Sequence, residues 1–126
     1  MIFVLSDSGY DNGDVTLQCF NSIPNTWRVC PSLPSQVQDT HGASAVSIGD
    51  QLYVVGGSGR LCVSFCTTSS SWRILRQNIN PHTNGAAVCV MDKIVVCGGW
   101  SGGSYTDIIE IYYIASNTWQ MSTVKK

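Results

Sequence analysis

The chain has 126 residues, of which 44% are hydrophobic and 12% are charged, and its formal net charge is −1. This length suffices for one small core and not for two domains. Nucleic-acid binding is disfavoured, because Lys and Arg are neither in excess nor clustered. No apolar run approaches the ~20 residues that cross a bilayer, and residues 1–5 lack the features of a signal peptide. The sequence therefore predicts a soluble, cytoplasmic protein with no membrane contact.

Three tryptophans recur along the chain at nearly equal intervals. Trp27, Trp72 and Trp119 are 45 and 47 residues apart, and each follows a short polar stretch. Seven positions before each of them stands an aromatic residue, in turn Phe20, Phe65 and Tyr112. Each aromatic residue lies in an alternating run that predicts a strand, and the Trp begins the next strand. Recurrence at this length indicates a repeat architecture.

The first copy, residues 1–33, is incomplete. Its apolar start, its alternating run 15–20 and the segment that begins at Trp27 predict three strands. Counting back from Trp27 places Ser6 and Asp7 where the last copy has two glycines. The first copy has therefore lost this glycine pair and the first of the four strands, so that it begins at the second strand.

The second and third copies, residues 41–76 and 84–123, are complete. In each of them an apolar run ends in two glycines, which are Gly56-Gly57 and Gly98-Gly99. Such a run is typical of a buried strand. The glycines at its end allow backbone conformations and close approaches that a side chain would prevent. A further strand follows His41 or Asn84, and two more surround the Trp. Each copy is therefore predicted to be a four-stranded antiparallel meander.

This pattern resembles the kelch family, whose motif is a hydrophobic run, a Gly-Gly pair, a later Tyr and then a Trp. The resemblance implies an all-β propeller in which each copy is a blade that packs face to face with the next. The motif glycines, the aromatic residues and the tryptophans are then structural. Phe65 replaces the motif Tyr, which keeps the aromatic wedge and loses its hydroxyl.

The predicted strands make a little under three blades, whereas propellers close with ~4 to 8. A repeat cannot bury its hydrophobic faces without neighbours. Two interpretations follow: the chain is a fragment of a longer protein, or copies of it associate to close a ring.

The resemblance also implies a partner-binding face, formed by the linkers between blades and by the loops between second and third strands. The candidate residues there are His41, Ser58, Arg60, Asn84, Trp100 and Tyr105. Trp100 follows a glycine pair, where the family often places an aromatic residue; packing against its own loop is the alternative. His41 and Asn84 stand where kelch adaptors often carry Arg, so an acidic ligand is not expected.

The six cysteines predict packing rather than a metal site or disulfides. Alignment of the copies, with Cys89 matched to Val46, places four of them at small apolar positions: Cys19, Cys62, Cys89 and Cys97. Cys62 and Cys66 lie four residues apart, but no second pair has the spacing of metal ligands. Cys30 and Cys66 are the expected reactive thiols.

No recognisable set of nucleophile, base and orienting group is present, so the sequence predicts no enzyme, cofactor or metal. It predicts a protein-binding module. By resemblance to the kelch repeats of BTB-kelch adaptors, the module would recruit a partner or substrate to a cullin ubiquitin ligase. An actin-binding scaffold and, less favoured, a propeller enzyme are the alternatives.

Overall fold

The structure is a computed structural model that describes residues 2–6, 16–37 and 39–123. Within these residues eleven strands form three antiparallel sheets, and no helix is present. The first sheet contains β1 (Ile2–Ser6), β2 (Thr16–Asn21) and β3 (Thr26–Val29). The second contains β4 (Ala43–Ile48), β5 (Gln51–Gly56), β6 (Leu61–Cys66) and β7 (Ser71–Ile74). The third contains β8 (Ala86–Val90), β9 (Lys93–Cys97), β10 (Ile108–Tyr113) and β11 (Thr118–Thr123).

Each sheet is a meander in which spatial order follows chain order. The prediction of an all-β, incomplete propeller is confirmed, with three strands in the first sheet and four in each of the others. Asp7 and Val15, expected at the ends of strands, lie outside the described residues. The first strands of the second and third sheets, β4 and β8, have Cα atoms within 8 Å of each other, so these strands lie nearest to a common axis.

Two hydrophobic layers hold the three sheets together. The layer between the first and second sheets includes Leu17, Cys19, Cys30, Phe65, Val54 and Val63. The layer between the second and third sheets includes Val46, Tyr53, Val55, Ile94, Val96 and Tyr112. The second sheet is covered on both faces, and for this reason β5 and β6 are buried almost throughout while β2 and β9 alternate.

The aromatic pairs pack in the same way in all three sheets. The ring centroids of Phe20 and Trp27, of Phe65 and Trp72, and of Tyr112 and Trp119 are each 4.9 Å apart. In the second and third sheets the pair faces the preceding sheet. In the first sheet it faces outward, and Trp27 is 59% exposed.

The glycine pairs sit where neighbouring chain segments cross. Gly57 has φ 70° and Gly99 has φ 85°. A Cβ on Gly57 would lie 2.7 Å from the carbonyl oxygen of His41, and a Cβ on Gly99 would lie 2.6 Å from that of Thr83. Both positions therefore need glycine for space as well as for backbone conformation.

One residue match from the sequence is wrong. In the ladders Val46 pairs with Tyr53, whereas Cys89 pairs with Ile94 and the counterpart of Val46 is Val88. A shift of one residue in a strand moves a side chain to the opposite face. Cys89 therefore packs toward the second sheet, while Val88 lies on the outer face of the third and is 52% exposed.

Candidate partner-binding face

Four segments meet at the end of the second and third sheets where β5 and β9 finish. They are the linker before β4, the β5–β6 loop, the linker before β8 and the β9–β10 loop; we call this surface the loop face. The Ser58 N–H donates to the carbonyl oxygen of His41 at 3.0 Å. Thr83 and Trp100 exchange two backbone hydrogen bonds, at 2.8 and 3.0 Å. These bonds fix the loops to one another.

Asp39 organises the first half of the loop face, although the sequence analysis did not select it. The Ser58 hydroxyl lies 2.7 Å from each carboxylate oxygen of Asp39 and donates to this group. The His41 N–H donates to Oδ1 of Asp39 at 3.1 Å. An Asp two residues before a turn is a recognisable sequence signal for such a bond. Ser58 thus serves to anchor its loop.

Two further candidates, Asn84 and Arg60, lie exposed on the same face. Asn84 has φ 59°, and its N–H donates to the carbonyl oxygen of Gly42 at 3.0 Å. Arg60 has φ 53° and immediately precedes β6. Both side chains are exposed. They remain predicted contact residues, as does His41.

Trp100 and Tyr105 form the aromatic part of the loop face. Their rings meet edge to face, with centroids 5.2 Å apart and an interplanar angle of 88°. Trp100 is 44% exposed and Tyr105 is 81% exposed. Between them, the Ser101 N–H donates to the carbonyl oxygen of Ser104 at 2.9 Å and closes the loop. Trp100 therefore both packs on its own loop and presents part of its ring to solvent.

A cleft of about 370 Å³ adjoins the loop face beside the second sheet. Its lining includes the apolar side chains Leu61, Val63 and Ile74 and the polar residues Gln36, Asp39 and Gln77. Nε2 of Gln77 donates to the carbonyl oxygen of Gly59 at 3.1 Å, which ties the linker after β7 to the β5–β6 loop. Asp39 belongs both to the cleft and to the loop face.

Residues 81–122 match the Kelch motif. The chain is 31% identical over 119 residues to a putative F-box/kelch-repeat protein of Arabidopsis thaliana, an alignment that covers 85% of this chain and 32% of the relative. The chain belongs to the kelch-repeat family. It is also 28% identical over 110 residues to Kelch-like protein 30 of Homo sapiens, covering 83% of this chain and 18% of that protein.

A viral relative completes the comparison. The chain is 28% identical over 88 residues to an immune evasion protein of Monkeypox virus, covering 70% of this chain and 18% of the relative. The kelch chain thus spans about a third of the Arabidopsis protein and less than a fifth of the other two. Kelch repeats are in general protein-interaction domains without enzymatic activity.

A buried ion pair fixes the linker that enters the last kelch blade. His82 and Glu110 are fully buried, and Nε2 of His82 lies 2.7 Å from Oε2 of Glu110. Nδ1 of His82 lies 2.7 Å from the carbonyl oxygen of Gly98. Glu110 also accepts hydrogen bonds from the Ile79 N–H at 2.6 Å, the Asn80 N–H at 3.2 Å and Nδ2 of Asn78 at 2.8 Å.

These contacts shift both pKa values toward the charged forms. Burial alone would lower the pKa of His82, but its bonds to Glu110 and to the Gly98 carbonyl raise it overall. Burial alone would raise the pKa of Glu110, but the bonds from His82 and the linker lower it overall. The sequence signal was a single carboxylate inside the alternating apolar strand β10, because an unpaired charge is almost never fully buried.

The thiols differ from the expectation in one respect. Cys30 is buried, which raises the pKa of its thiol, so its predicted reactivity is wrong. Cys66 is the opposite case: hydrogen bonds from Ser69 and Thr68 lower the pKa of its thiol to about 6. Burial raises the pKa of Cys62 to about 12. All six cysteines are free.

Neither a metal centre nor a membrane span is found in the part of the chain that the structure describes. No three His, Cys, Asp or Glu side chains converge among these residues. They also form no helix long and apolar enough to cross a membrane.

Proposed function

We propose that this kelch chain binds a protein partner through the loop face, with Trp100 and Tyr105 at the centre of the contact. One observation carries the proposal: an exposed aromatic pair sits on a loop that two backbone bonds to Thr83 hold in place. A loop held by a rigid scaffold loses little conformational entropy when a partner docks. Trp and Tyr are also among the residues that most often dominate binding energy at interfaces.

The chemistry of the face favours a partner segment with apolar side chains. Among the residues that the structure describes, the face has no cluster of cations, and the carboxylate of Asp39 already accepts bonds from Ser58 and His41. The apolar walls of the adjoining cleft, Leu61 and Val63, suit a buried aliphatic or aromatic anchor. An acidic peptide would find little to neutralise its charge here.

The proposal extends to the cellular role. Two relatives are an F-box/kelch-repeat protein and a Kelch-like protein, and their names support a role for this chain in recruiting a protein to a ubiquitin ligase. The cytoplasm is the proposed location. Affinity purification of the tagged chain from cytosol should recover ligase components together with a recruited protein. Pelleting with actin filaments, without a cullin, would instead support a cytoskeletal scaffold.

Variants of the aromatic pair test whether the loop face is the contact surface. Trp100→Ala and Tyr105→Ala should each weaken the affinity for the recovered partner by about tenfold or more. The matched control is Met91→Ala, because Met91 is 86% exposed in the turn between β8 and β9, away from the loop face. We expect the control to leave the affinity unchanged.

Two results would contradict the proposal. Equal affinities for the three variants would show that the partner binds elsewhere. Unfolding of Trp100→Ala, judged by circular dichroism, would show that Trp100 is a structural residue. Tyr105→Ala then still reports on the face, since 81% of Tyr105 is exposed.

A further inference from the structure

The buried residue His82 lies directly beneath the loop face, and its backbone is held on both sides. Its N–H donates to the carbonyl oxygen of Gly57 at 3.1 Å, and its carbonyl oxygen accepts from the Gly85 N–H at 3.0 Å. The next residue, Thr83, exchanges two backbone hydrogen bonds with Trp100. The backbone therefore fixes the place of the imidazole whatever the charge of the ring.

Both ring nitrogens of His82 face hydrogen-bond acceptors. Nδ1 lies 2.7 Å from the carbonyl oxygen of Gly98, and Nε2 lies 2.7 Å from Oε2 of Glu110. A carbonyl oxygen can only accept, and so can an ionised carboxylate. A neutral imidazole has one N–H and one lone pair, so in either tautomer it can donate to only one of these two groups. The imidazolium is the form that donates to both.

The environment of Glu110 keeps its carboxylate ionised and thus leaves the proton on His82. The carboxylate oxygens accept hydrogen bonds from Nδ2 of Asn78 and from the N–H groups of Ile79 and Asn80, in addition to His82. Burial opposes ionisation, but these donors lower the pKa of Glu110 overall. A shared proton therefore belongs to the ring and not to the carboxylate.

The other elements packed against His82 contribute backbone and apolar atoms. Gly56 at the end of β5 lies between the Cβ of His82 and a methyl group of Val96 on β9. Among the residues that the structure describes, Glu110 on β10 is the charged group that acts on the pKa of His82. Burial lowers this pKa, but the bonds to Glu110 and to the Gly98 carbonyl raise it overall above 6.5. The doubly protonated ring is therefore present below pH 6.5 and is lost as the pH rises through the folded pKa.

Of the two ring contacts, the one to Gly98 is lost when the ring becomes neutral. The remaining N–H stays with Glu110, because a charged acceptor forms the stronger hydrogen bond. Nδ1 then presents a lone pair to a carbonyl oxygen 2.7 Å away, and two acceptors at this distance repel each other. Gly98 and Gly99 have φ 71° and 85°, and two glycines allow the peptide between them to rotate. The space beside Gly98 is open, since a Cβ there would meet nothing within 4 Å.

Rotation of this peptide affects the loop that carries the aromatic pair. Trp100 follows Gly99 directly, and its N–H and carbonyl are the groups that pair with Thr83. The Gly99 carbonyl oxygen accepts from the Thr106 N–H at 3.0 Å, so the far end of the β9–β10 loop is tied to the same short segment. A rotation between Gly98 and Gly99 therefore changes the geometry of the bonds that position the Trp100 ring.

We propose that His82 is a pH-dependent positioning residue for the loop face: loss of its second ring proton to solvent releases the Gly98 carbonyl and loosens the loop that carries Trp100. The loop face is ordered while His82 is charged and is less ordered when His82 is neutral. Small changes in the surroundings of a histidine place such a transition near physiological pH. The consequence for partner binding rests on the proposed function, whereas the change in the loop does not.

NMR titration of the 126-residue chain from about pH 5.5 to about pH 9 tests the loop change without a partner. The ring ¹⁵N shifts of His82 should show two protonated nitrogens at low pH and one at high pH, with a midpoint above 6.5. The Gly99 amide and the Trp100 indole N–H should shift with the same midpoint. Three results would each overturn the proposal: a singly protonated ring at the lowest pH, a doubly protonated ring at the highest, or a His82 titration that leaves the Gly99 and Trp100 signals unchanged.

Three variants assign the transition to His82. His82→Gln keeps a donor and an acceptor but cannot titrate, so the shared midpoint of the Gly99 and Trp100 signals should disappear. The matched control is His41→Gln, because His41 is the other histidine of the chain and lies exposed on the same face; the midpoint should remain. Cys66→Ser removes the thiol with a pKa of about 6 at the opposite end of β6 and should also leave the midpoint in place.

Persistence of the transition in folded His82→Gln would contradict the assignment. Circular dichroism checks the folding of this variant, and if it does not fold, the titration of the unaltered chain decides.

The affinity for the protein recovered by purification of the tagged chain tests the regulation. It should weaken about 3- to 10-fold between about pH 6 and pH 9 in the unaltered chain, and by less than about twofold in His82→Gln. Because linkage is reciprocal, the bound partner should raise the midpoint of His82 by about 0.5 to 1 pH unit.

The outcomes separate this proposal from the proposed function. A partner whose affinity depends neither on Trp100 nor on pH, together with a normal NMR titration, would refute the role of the loop face and leave the loop change standing. A partner that requires Trp100 but binds equally well at both pH values would refute the regulation.

Discussion

Replacement of Glu110 by Gln should cost a large part of the stability of this domain. Glu110 is fully buried and accepts four hydrogen bonds, from His82 at 2.7 Å, Asn78 at 2.8 Å, Ile79 at 2.6 Å and Asn80 at 3.2 Å. Gln keeps the size but loses the charge and turns a donor toward groups that are themselves donors. Removal of one partner from a buried ion pair costs about 3 to 5 kcal/mol, out of a typical total of ~5 to 15 kcal/mol.

The same variant should change the pH dependence of stability. The pKa of His82 is raised, so its contribution is present below its ordinary value of 6.5 and is lost as the pH rises through the folded pKa. The pKa of Glu110 is lowered, so its contribution is present above 4.5 and is lost as the pH falls through the folded pKa. The pair therefore stabilises the fold most between pH 4.5 and 6.5. Glu110→Gln should remove this maximum.

Urea unfolding followed by tryptophan fluorescence measures both effects at one fixed protein concentration. Asp107→Asn is the matched control, because Asp107 is an exposed carboxylate three residues before Glu110. This variant should change the free energy of unfolding by no more than about 0.5 kcal/mol. Two results would contradict a stabilising role of the ion pair. One is a decrease in the free energy of unfolding of less than about 1 kcal/mol in Glu110→Gln, and the other is a stability maximum that this variant retains.

Three further outcomes are expected. Trp72→Ala should lower the free energy of unfolding by about 3 to 5 kcal/mol, because it opens a cavity and frees the linker; a loss under about 1 kcal/mol would contradict its structural role. Iodoacetamide at pH 7 should modify Cys66 first and spare Cys62, since their thiol pKa values are about 6 and about 12; peptide mass mapping that found Cys62 modified as fast would refute this order. Gly98→Ala should lower the free energy of unfolding by about 1 to 2 kcal/mol because of the positive φ at this position. Gly99→Ala should lower it clearly more, because the added Cβ would also meet the carbonyl oxygen of Thr83. Equal melting temperatures of the two variants would contradict the close approach of Gly99 to Thr83.

The repeat could be found in the sequence because its signals are local. The strands β6 and β10 coincide with the alternating runs 61–66 and 108–113. Alternation reflects the two faces of a strand, and the glycine pairs reflect backbone angles that other residues adopt at a cost. The spacing from aromatic residue to Trp reflects a ladder in which Tyr112 lies directly opposite Trp119. None of these features depends on which blade stands next to which.

The organisation of the loop face could be predicted only in part. The sequence placed Trp100 and His41 on loops, but it did not show that Asp39 anchors Ser58, a residue 19 positions away. Burial of Cys30 was missed for the same reason, since the cluster in which it lies also includes Phe65 of the second blade. Contacts of this kind depend on the distance and orientation between two packed sheets. The residue pattern within one sheet does not specify either of them.

The sequence by itself determined the number of strands, their order in each sheet and the residues that wedge between kelch blades. Only the tertiary structure decided which faces are covered and which are open, and that His82 meets Glu110 across 28 residues of chain. The physical reason is that secondary structure follows from periodicity and backbone angles along the chain, whereas burial and pairing of charge depend on the packing of surfaces that are distant in sequence.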